Sequence, residues 1–194
     1  WWSSGFPALC RDAAAGGSPL DSGGQACDKG ENPESPMPFF AESPADLPDR
    51  ETLLSMSGLE FMQAMLAGTM PQPTIAGLLN YRLESVGEGR ASFRGTPEFR
   101  HTNPFGGVHG GWYGTVLDSV MGCAVMTTVP KGRWYTTLEF KVNISRALPV
   151  GMEIVAEGEI EHSGRSTAVS LGRIRGAEDG RLYATGSTTC IIMG

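Results

Sequence analysis

The strongest periodic signal in the chain lies between Trp134 and Ser145. There Leu138, Phe140, Val142 and Ile144 alternate with Thr137, Glu139, Lys141 and Asn143. A period of two sends the two sets to opposite faces of a strand. Met152–His162 and Arg165–Arg175 repeat the pattern on either side of Ser163-Gly164, which reads as a two-residue turn. That turn pairs Ile160 with Thr167, Gly158 with Val169 and Ala156 with Leu171, and leaves Glu153, Glu157, Glu159 and Glu161 on the other face. Asp179-Gly180 marks a further turn before a last strand, Leu182–Ile192. Earlier, Leu78–Val86 and Arg90–Thr96 flank Gly87-Glu88-Gly89 as a hairpin.

Two segments carry helical spacing instead. Ser57-Gly58-Leu59-Glu60 has the spacing of a capping box, and Leu59, Met62, Met65 and Leu66 then fall on one face, predicting a helix to about Ala67. Pro71 and Pro73 stop it. Val108–Val129, ended by Pro130, is too long for one strand and predicts a second helix. The order is helix, two strands, long helix, four strands, an α+β arrangement without internal repeats.

Charge divides the chain. Residues 1–50 hold 8 acidic and 3 basic side chains, a balance of −5, and seven of the 13 prolines. The remaining 13 acidic and 12 basic residues leave the body at −1 of the total −6. Residues 1–50 are therefore expected to be a disordered acidic Pro/Gly-rich tail, and 51–194 the folded domain. The first methionine is Met37, so residues 1–36 are expected to be upstream sequence outside the fold. No Lys/Arg stripe suggests nucleic acid, and no apolar run is long enough to span a membrane. Cys10, Cys27, Cys123 and Cys190 form no C-x-x-C pair and read as reduced thiols, which with the lack of a signal-peptide pattern suits a cytoplasmic protein. His101, His109 and His162 lack metal-ligand spacing, so no metal is expected.

The long helix is apolar nearly all round, and Asp118 is its one formally charged side chain. Such a helix is normally buried, and a carboxylate on it must be desolvated, paired or used. A plain reading pairs Asp118 with a base from a strand; a functional one makes it a working acid. The run His101-Thr102-Asn103-Pro104-Phe105-Gly106-Gly107-Val108-His109-Gly110-Gly111 favours the second. It is a glycine-rich loop entering a helix N-terminus, where free N–H groups and the dipole stabilise a developing oxyanion. Asn103 could add a side-chain N–H or simply make the turn. His109 could orient a carbonyl or hydrogen-bond the backbone. Gly110 and Asp118 stand about 12 Å apart along one helix, so both can serve one carbonyl only if Asp118 comes from a second, antiparallel subunit.

Asn103-x5-His109-Gly110-Gly111-x6-Asp118, followed by Thr137-Leu138-Glu139-Phe140-Lys141-Val142-Asn143, resembles the PaaI-type acyl-CoA thioesterases of the hotdog fold. The resemblance runs from about Gly58 to Cys190 and includes Pro71-Gln72-Pro73, Gly164-Arg165 and Asp179-Gly180-Arg181-Leu182-Tyr183-Ala184. It implies an antiparallel sheet wrapped around a long central helix, with a short N-terminal helix, paired into a homodimer and doubled to a tetramer. It also implies an acyl-CoA or aryl-CoA substrate hydrolysed without a cofactor. The Gly110 amide, helped by Asn103, would polarise the thioester carbonyl, and Asp118 of the facing subunit would activate water or attack directly. A hydroxyl on the next strand assists, and alignment points to Thr137, although alternation puts Thr136 on the helix-facing side. Coenzyme A phosphates need cations; Arg146, Arg165, Arg173 and Lys141 are candidates, with Arg146 and Arg165 put forward.

Two other functions fit the same fold. A hydratase or dehydratase would pair His109 with Asp118 to move protons on carbon. A non-catalytic acyl-CoA-binding protein would use the acidic tail as a partner arm. Other enzyme signatures, G-x-S-x-G, the Walker loop and H-E-x-x-H, are absent from the sequence.

Overall fold

The computed structural model describes residues 39–194. The expected disorder of residues 1–38 lies outside them. Within them, six strands form one antiparallel sheet: β1 (Tyr81–Gly87), β2 (Arg90–Gly95), β3 (Trp134–Ile144), β4 (Ile154–Ser163), β5 (Thr167–Gly176) and β6 (Leu182–Met193). Their order across the sheet is β1-β2-β4-β5-β6-β3, which makes β1 and β3 the edges. Four α-helices accompany it among the described residues: α1 (Arg50–Leu54), α2 (Gly58–Leu66), α3 (Thr74–Leu78) and α4 (Gly110–Met126). The expected α+β hotdog architecture is present, with α4 as the wrapped helix.

The capping box is made as its spacing predicts. Ser57 N–H donates to Glu60 Oε2 at 2.7 Å and Glu60 N–H to Ser57 Oγ at 3.3 Å. This sets the start of α2 and turns Met62 and Met65 into the core. Two expectations need correction. Strand β1 starts at Tyr81 rather than Leu78, because Pro73 begins a helical turn, α3, that occupies Thr74–Leu78. The tail also ends earlier than residue 50. Phe40 forms a parallel bridge with Gln72, Ala41 is buried, and Thr74 Oγ1 donates to the Ala41 carbonyl. The apolar pair Phe39-Phe40 gives that segment something to bury, which composition averaged over 50 residues conceals.

The β4–β5 register also differs. Gly158 faces Gly172 and Ala156 faces Ile174, because the connection is longer than two residues and a bulge falls between Ile160 and His162. The faces are nevertheless as expected: Ile154, Ala156 and Gly158 point inward. In the true register Gly158, Gly172 and Gly186 lie side by side across β4, β5 and β6. The three form a trough for α4. A Cβ built on Gly172 would come within 2.8 Å of Met121 Cγ and 2.9 Å of Leu117 Cδ2, and one on Gly158 would overlap the Val120 carbonyl oxygen. Close approach by a helix apolar all round explains why Val116, Leu117, Val120 and Met121 are fully buried.

Candidate active site

His109 caps α4, its Nδ1 accepting the Gly111 N–H at 2.9 Å. That bond leaves the imidazole proton on Nε2, so the outer nitrogen is a donor rather than a base. The Gly110 N–H, at the first helical position, has no intrahelical acceptor. Asn103 organises the preceding loop. Its Oδ1 accepts from Phe105 N–H at 2.9 Å and Gly107 N–H at 3.2 Å, and its own N–H donates to the Gly107 carbonyl at 2.8 Å. Gly106 takes φ +80°, which a glycine adopts without strain. Asn103 thus makes the turn, and with Oδ1 committed to the loop its Nδ2 is left for another acceptor.

The ends of this loop are pinned to α3. His101 is buried; its Nδ1 accepts from Glu98 N–H at 2.9 Å and its Nε2 faces the Leu78 carbonyl at 3.0 Å. Its own carbonyl accepts the His109 N–H at 2.9 Å. At the far end Trp112 Nε1 donates to the Leu79 carbonyl at 2.9 Å. The spacing of His101 in the chain bears only on metal binding, where it gives no signal. Neither hydrogen bond has a spacing signature.

Asp118 lies on the same helix, half-buried. No basic side chain among the described residues forms an ion pair with it. Its Oδ1 accepts from Thr137 Oγ1 at 3.2 Å. Burial holds its carboxyl above the usual aspartate range, and the Thr137 hydrogen bond partly opposes that. The surroundings are neutral hydroxyls and thiols. Ser119 Oγ is 2.8 Å from Tyr81 OH, whose pKa burial raises to about 12, and burial beside Asp118 lifts Cys123 to about 12. An acid held so, without a cation, is suited to taking a proton or attacking an electrophile.

Thr137 reaches Asp118 through a bulge. In β3, Thr137 pairs with Cys190 and Glu139 with Thr189, leaving Leu138 over. The extra residue flips the side-chain alternation. Ahead of it Tyr135 and Thr137 face α4; beyond it Phe140 and Ile144 do, lying 3.6 and 3.7 Å from the Cβ positions of Gly114 and Gly110. Unbroken alternation, which favours Thr136, is therefore wrong here.

Asn103, His109 and Gly110 come together at the N-terminus of α4, and Asp118 with Thr137 about two turns further on. The two proposed cofactor cations do not share a site within the chain. Arg165 lies by the start of β3, its carbonyl accepting from Arg133, while Arg146 follows the strand's end and stacks 5.9 Å over the Tyr183 ring. The length of β3 separates them by roughly 30 Å. Among the described residues no group of three or more His, Cys, Asp or Glu side chains could hold a metal ion, and no helix is long and apolar enough to cross a membrane.

Known proteins share this fold. Residues 105–183 match the model of the Thioesterase superfamily. Over 92 residues the chain is 29% identical to acyl-coenzyme A thioesterase 13 of Mus musculus, covering 47% of this chain and 65% of that one. The structure of a phenylacetic acid degradation-related protein from Ralstonia eutropha JMP134 superposes with a TM-score of 0.62 at 28% identity, over 68% of this chain and 98% of that one. A hypothetical thioesterase protein of Streptococcus pneumoniae TIGR4, solved with coenzyme A, gives 0.55 at 26% identity, over 59% of this chain and 87% of that one.

Proposed function

We propose that the chain, which matches the Thioesterase superfamily over residues 105–183 and is similar in fold to a phenylacetic acid degradation-related protein, hydrolyses acyl-CoA or aryl-CoA thioesters to a free acid and coenzyme A. The observation that carries the reading is a desolvated, cation-free Asp118 on the same helix as an unused N-terminal amide. Such a pair suits thioester chemistry, which needs an oxyanion site and a positioned carboxylate but neither metal nor cofactor.

In the proposed reaction the Gly110 N–H and Asn103 Nδ2 hold the carbonyl oxygen. Asp118 either takes a proton from water as the water attacks or attacks the carbonyl itself. Collapse of the tetrahedral intermediate breaks the C–S bond, and the coenzyme A thiolate leaves with the electron pair. In the first route Asp118 passes its proton to the thiolate or to solvent. In the second a water hydrolyses the acyl-aspartate anhydride, releasing the acid and restoring the carboxylate. Thr137 keeps the carboxylate oriented. His109 as a proton-abstracting base, which a hydratase would need, is disfavoured by its Nδ1 bond to Gly111.

The active unit is a homodimer. Strand β3 is a sheet edge with Leu138, Phe140 and Ile144 exposed by 45–58%, a long apolar edge that a second copy would cover. Antiparallel pairing of two β3 strands about Phe140-Lys141 would bring Asp118 and Thr137 of one subunit beside Ile144, and so Gly110, of the other. The same register would carry Arg165 of one subunit towards Arg146 of the other, giving the coenzyme A phosphates two cations that one chain keeps apart. Two such dimers would then form the tetramer.

Thiol release measured over a panel of acyl- and aryl-CoAs tests the reading. Wild type is expected to turn over at least one of them, and Asp118→Asn to lose about 10²-fold or more in kcat while still binding it. Full turnover by Asp118→Asn would remove the assigned role, and no release from any thioester would favour a binding protein.

A further inference from the structure

The loop that carries Asn103, His109 and Gly110 is strung between two anchors on one small helix. At one end His101 Nε2 meets the Leu78 carbonyl; at the other Trp112 Nε1 donates to the Leu79 carbonyl. These carbonyls are consecutive and stand where α3 ends, so the helix has no acceptor-satisfying turn of its own to offer them. The partners fix the imidazole tautomer: Nδ1 faces an N–H donor and Nε2 a carbonyl, so the proton is on Nε2. The anchor is itself held. Phe40 packs against Gly77, whose Cβ position is 3.3 Å from the ring, and Thr74 donates to the Ala41 carbonyl.

Between the anchors every turn of the loop is tied. Thr102 bridges Val108, Asn103 closes 103–107, and the His101 carbonyl takes the His109 N–H. The last of these sets the cap of α4, and with it the direction of the next amide, that of Gly110. A shift of either ring N–H would pass along one short, fully hydrogen-bonded path to that amide.

We propose that His101 and Trp112 are positioning residues, whose ring N–H groups clamp both ends of the 102–111 loop to the carbonyls of Leu78 and Leu79 and so aim the Gly110 amide at the substrate carbonyl. Neither side chain touches substrate. The inference rests on the thioesterase reading for its effect on rate, but not for its effect on the loop.

The test compares His101→Leu, His101→Gln and Trp112→Phe in the full chain, with steady-state kinetics on an acyl-CoA that wild type hydrolyses and hydrogen–deuterium exchange over 102–111. Trp112→Phe keeps an aromatic ring in the core and removes the donor together with some ring volume, a change milder than His101→Leu, so it serves even if that variant fails to fold. Gln carries an acceptor and a donor on one side chain. His101→Leu and Trp112→Phe are expected to lower kcat about tenfold, since small misplacements of catalytic groups are costly, with KM within about twofold. Both should speed exchange across the loop without changing it in the sheet, and His101→Gln should recover most of the rate. Unchanged kcat and unchanged loop exchange would overturn the proposal. So would a loss shared by KM and melting temperature that Gln does not recover, which marks simple structural damage. If wild type hydrolyses no thioester, the thioesterase reading fails alone, and the exchange comparison still decides the clamp.

Discussion

The Thr137 hydroxyl donates to Asp118 Oδ1 across 3.2 Å because β3 carries one residue more than β6 at Leu138. A hydrogen bond to a carboxylate is worth about 1.5–3 kcal/mol, and this one favours the charged form of an acid that burial pushes towards neutrality. Thr137→Val keeps the shape and removes the donor. The acid limb of its kcat/KM profile is expected to move to higher pH, and kcat near neutrality to fall about tenfold. A pH–rate profile superposable on wild type would separate Thr137 from the chemistry.

Asp118→Asn should be inactive yet no less stable near neutral pH. The folded pKa of Asp118 lies above the 3.8 of an ordinary aspartate, so the folded state binds its proton more tightly than the unfolded one. The stability linked to this group is therefore full below 3.8 and is lost as pH rises through the raised folded value. An amide avoids that loss and still accepts from Thr137. Urea midpoints at pH 7 and pH 4 should favour the variant more at pH 7; the reverse order would contradict the desolvated carboxylate.

Asn103→Asp separates the two uses of that side chain. A carboxylate still accepts from Phe105 and Gly107, so the loop persists, but the Nδ2 donor is gone. The expected fall in kcat is about 10²–10³-fold, the usual effect of losing one oxyanion donor. Mixed with Asp118→Asn, this inactive variant should regain activity. A shared site puts both lesions into one of the heterodimer's two sites and leaves the other intact, so random reassortment recovers about a quarter of wild-type turnover. No recovery after verified subunit exchange would mean that each chain completes its own site.

The glycine trough makes a prediction about stability. At Gly158 a methyl group meets the Val120 backbone carbonyl, which cannot rotate aside. Gly158→Ala should cost about 2 kcal/mol, in the range of core overpacking, while Gly87→Ala, with nothing within 4 Å of the new atom, should change little. Denaturant midpoints of the two variants decide it.

What was legible in the sequence follows from what is periodic. The capping box, the edges of most strands and the apolar α4 with its single acid all rest on spacing along the chain, and all are present. The misreadings occur where one residue breaks the period. Leu138 reverses the faces of β3 and brings Thr137, rather than Thr136, to α4. The irregularity at Ile160/His162 moves the β4–β5 register, and only in the true register do Gly158, Gly172 and Gly186 align. Arg146 and Arg165 fall at opposite ends of β3 because sequence shows charge but not which end of a strand a turn occupies. His101 and Trp112 stand outside any pattern, since their partners are main-chain carbonyls.

Strand β3 joins the described sheet through β6 alone, and β6 ends at Met193. Helix α4 also packs on β2, β4 and β5, but β3 takes its hydrogen-bonded place in the described sheet only beside β6. Without β6, one side of the Asp118 helix is uncovered and Thr137 lacks its cross-strand partner Cys190. The Thr137–Asp118 contact therefore depends on β6, while the hairpins β1–β2 and β4–β5 pair without it.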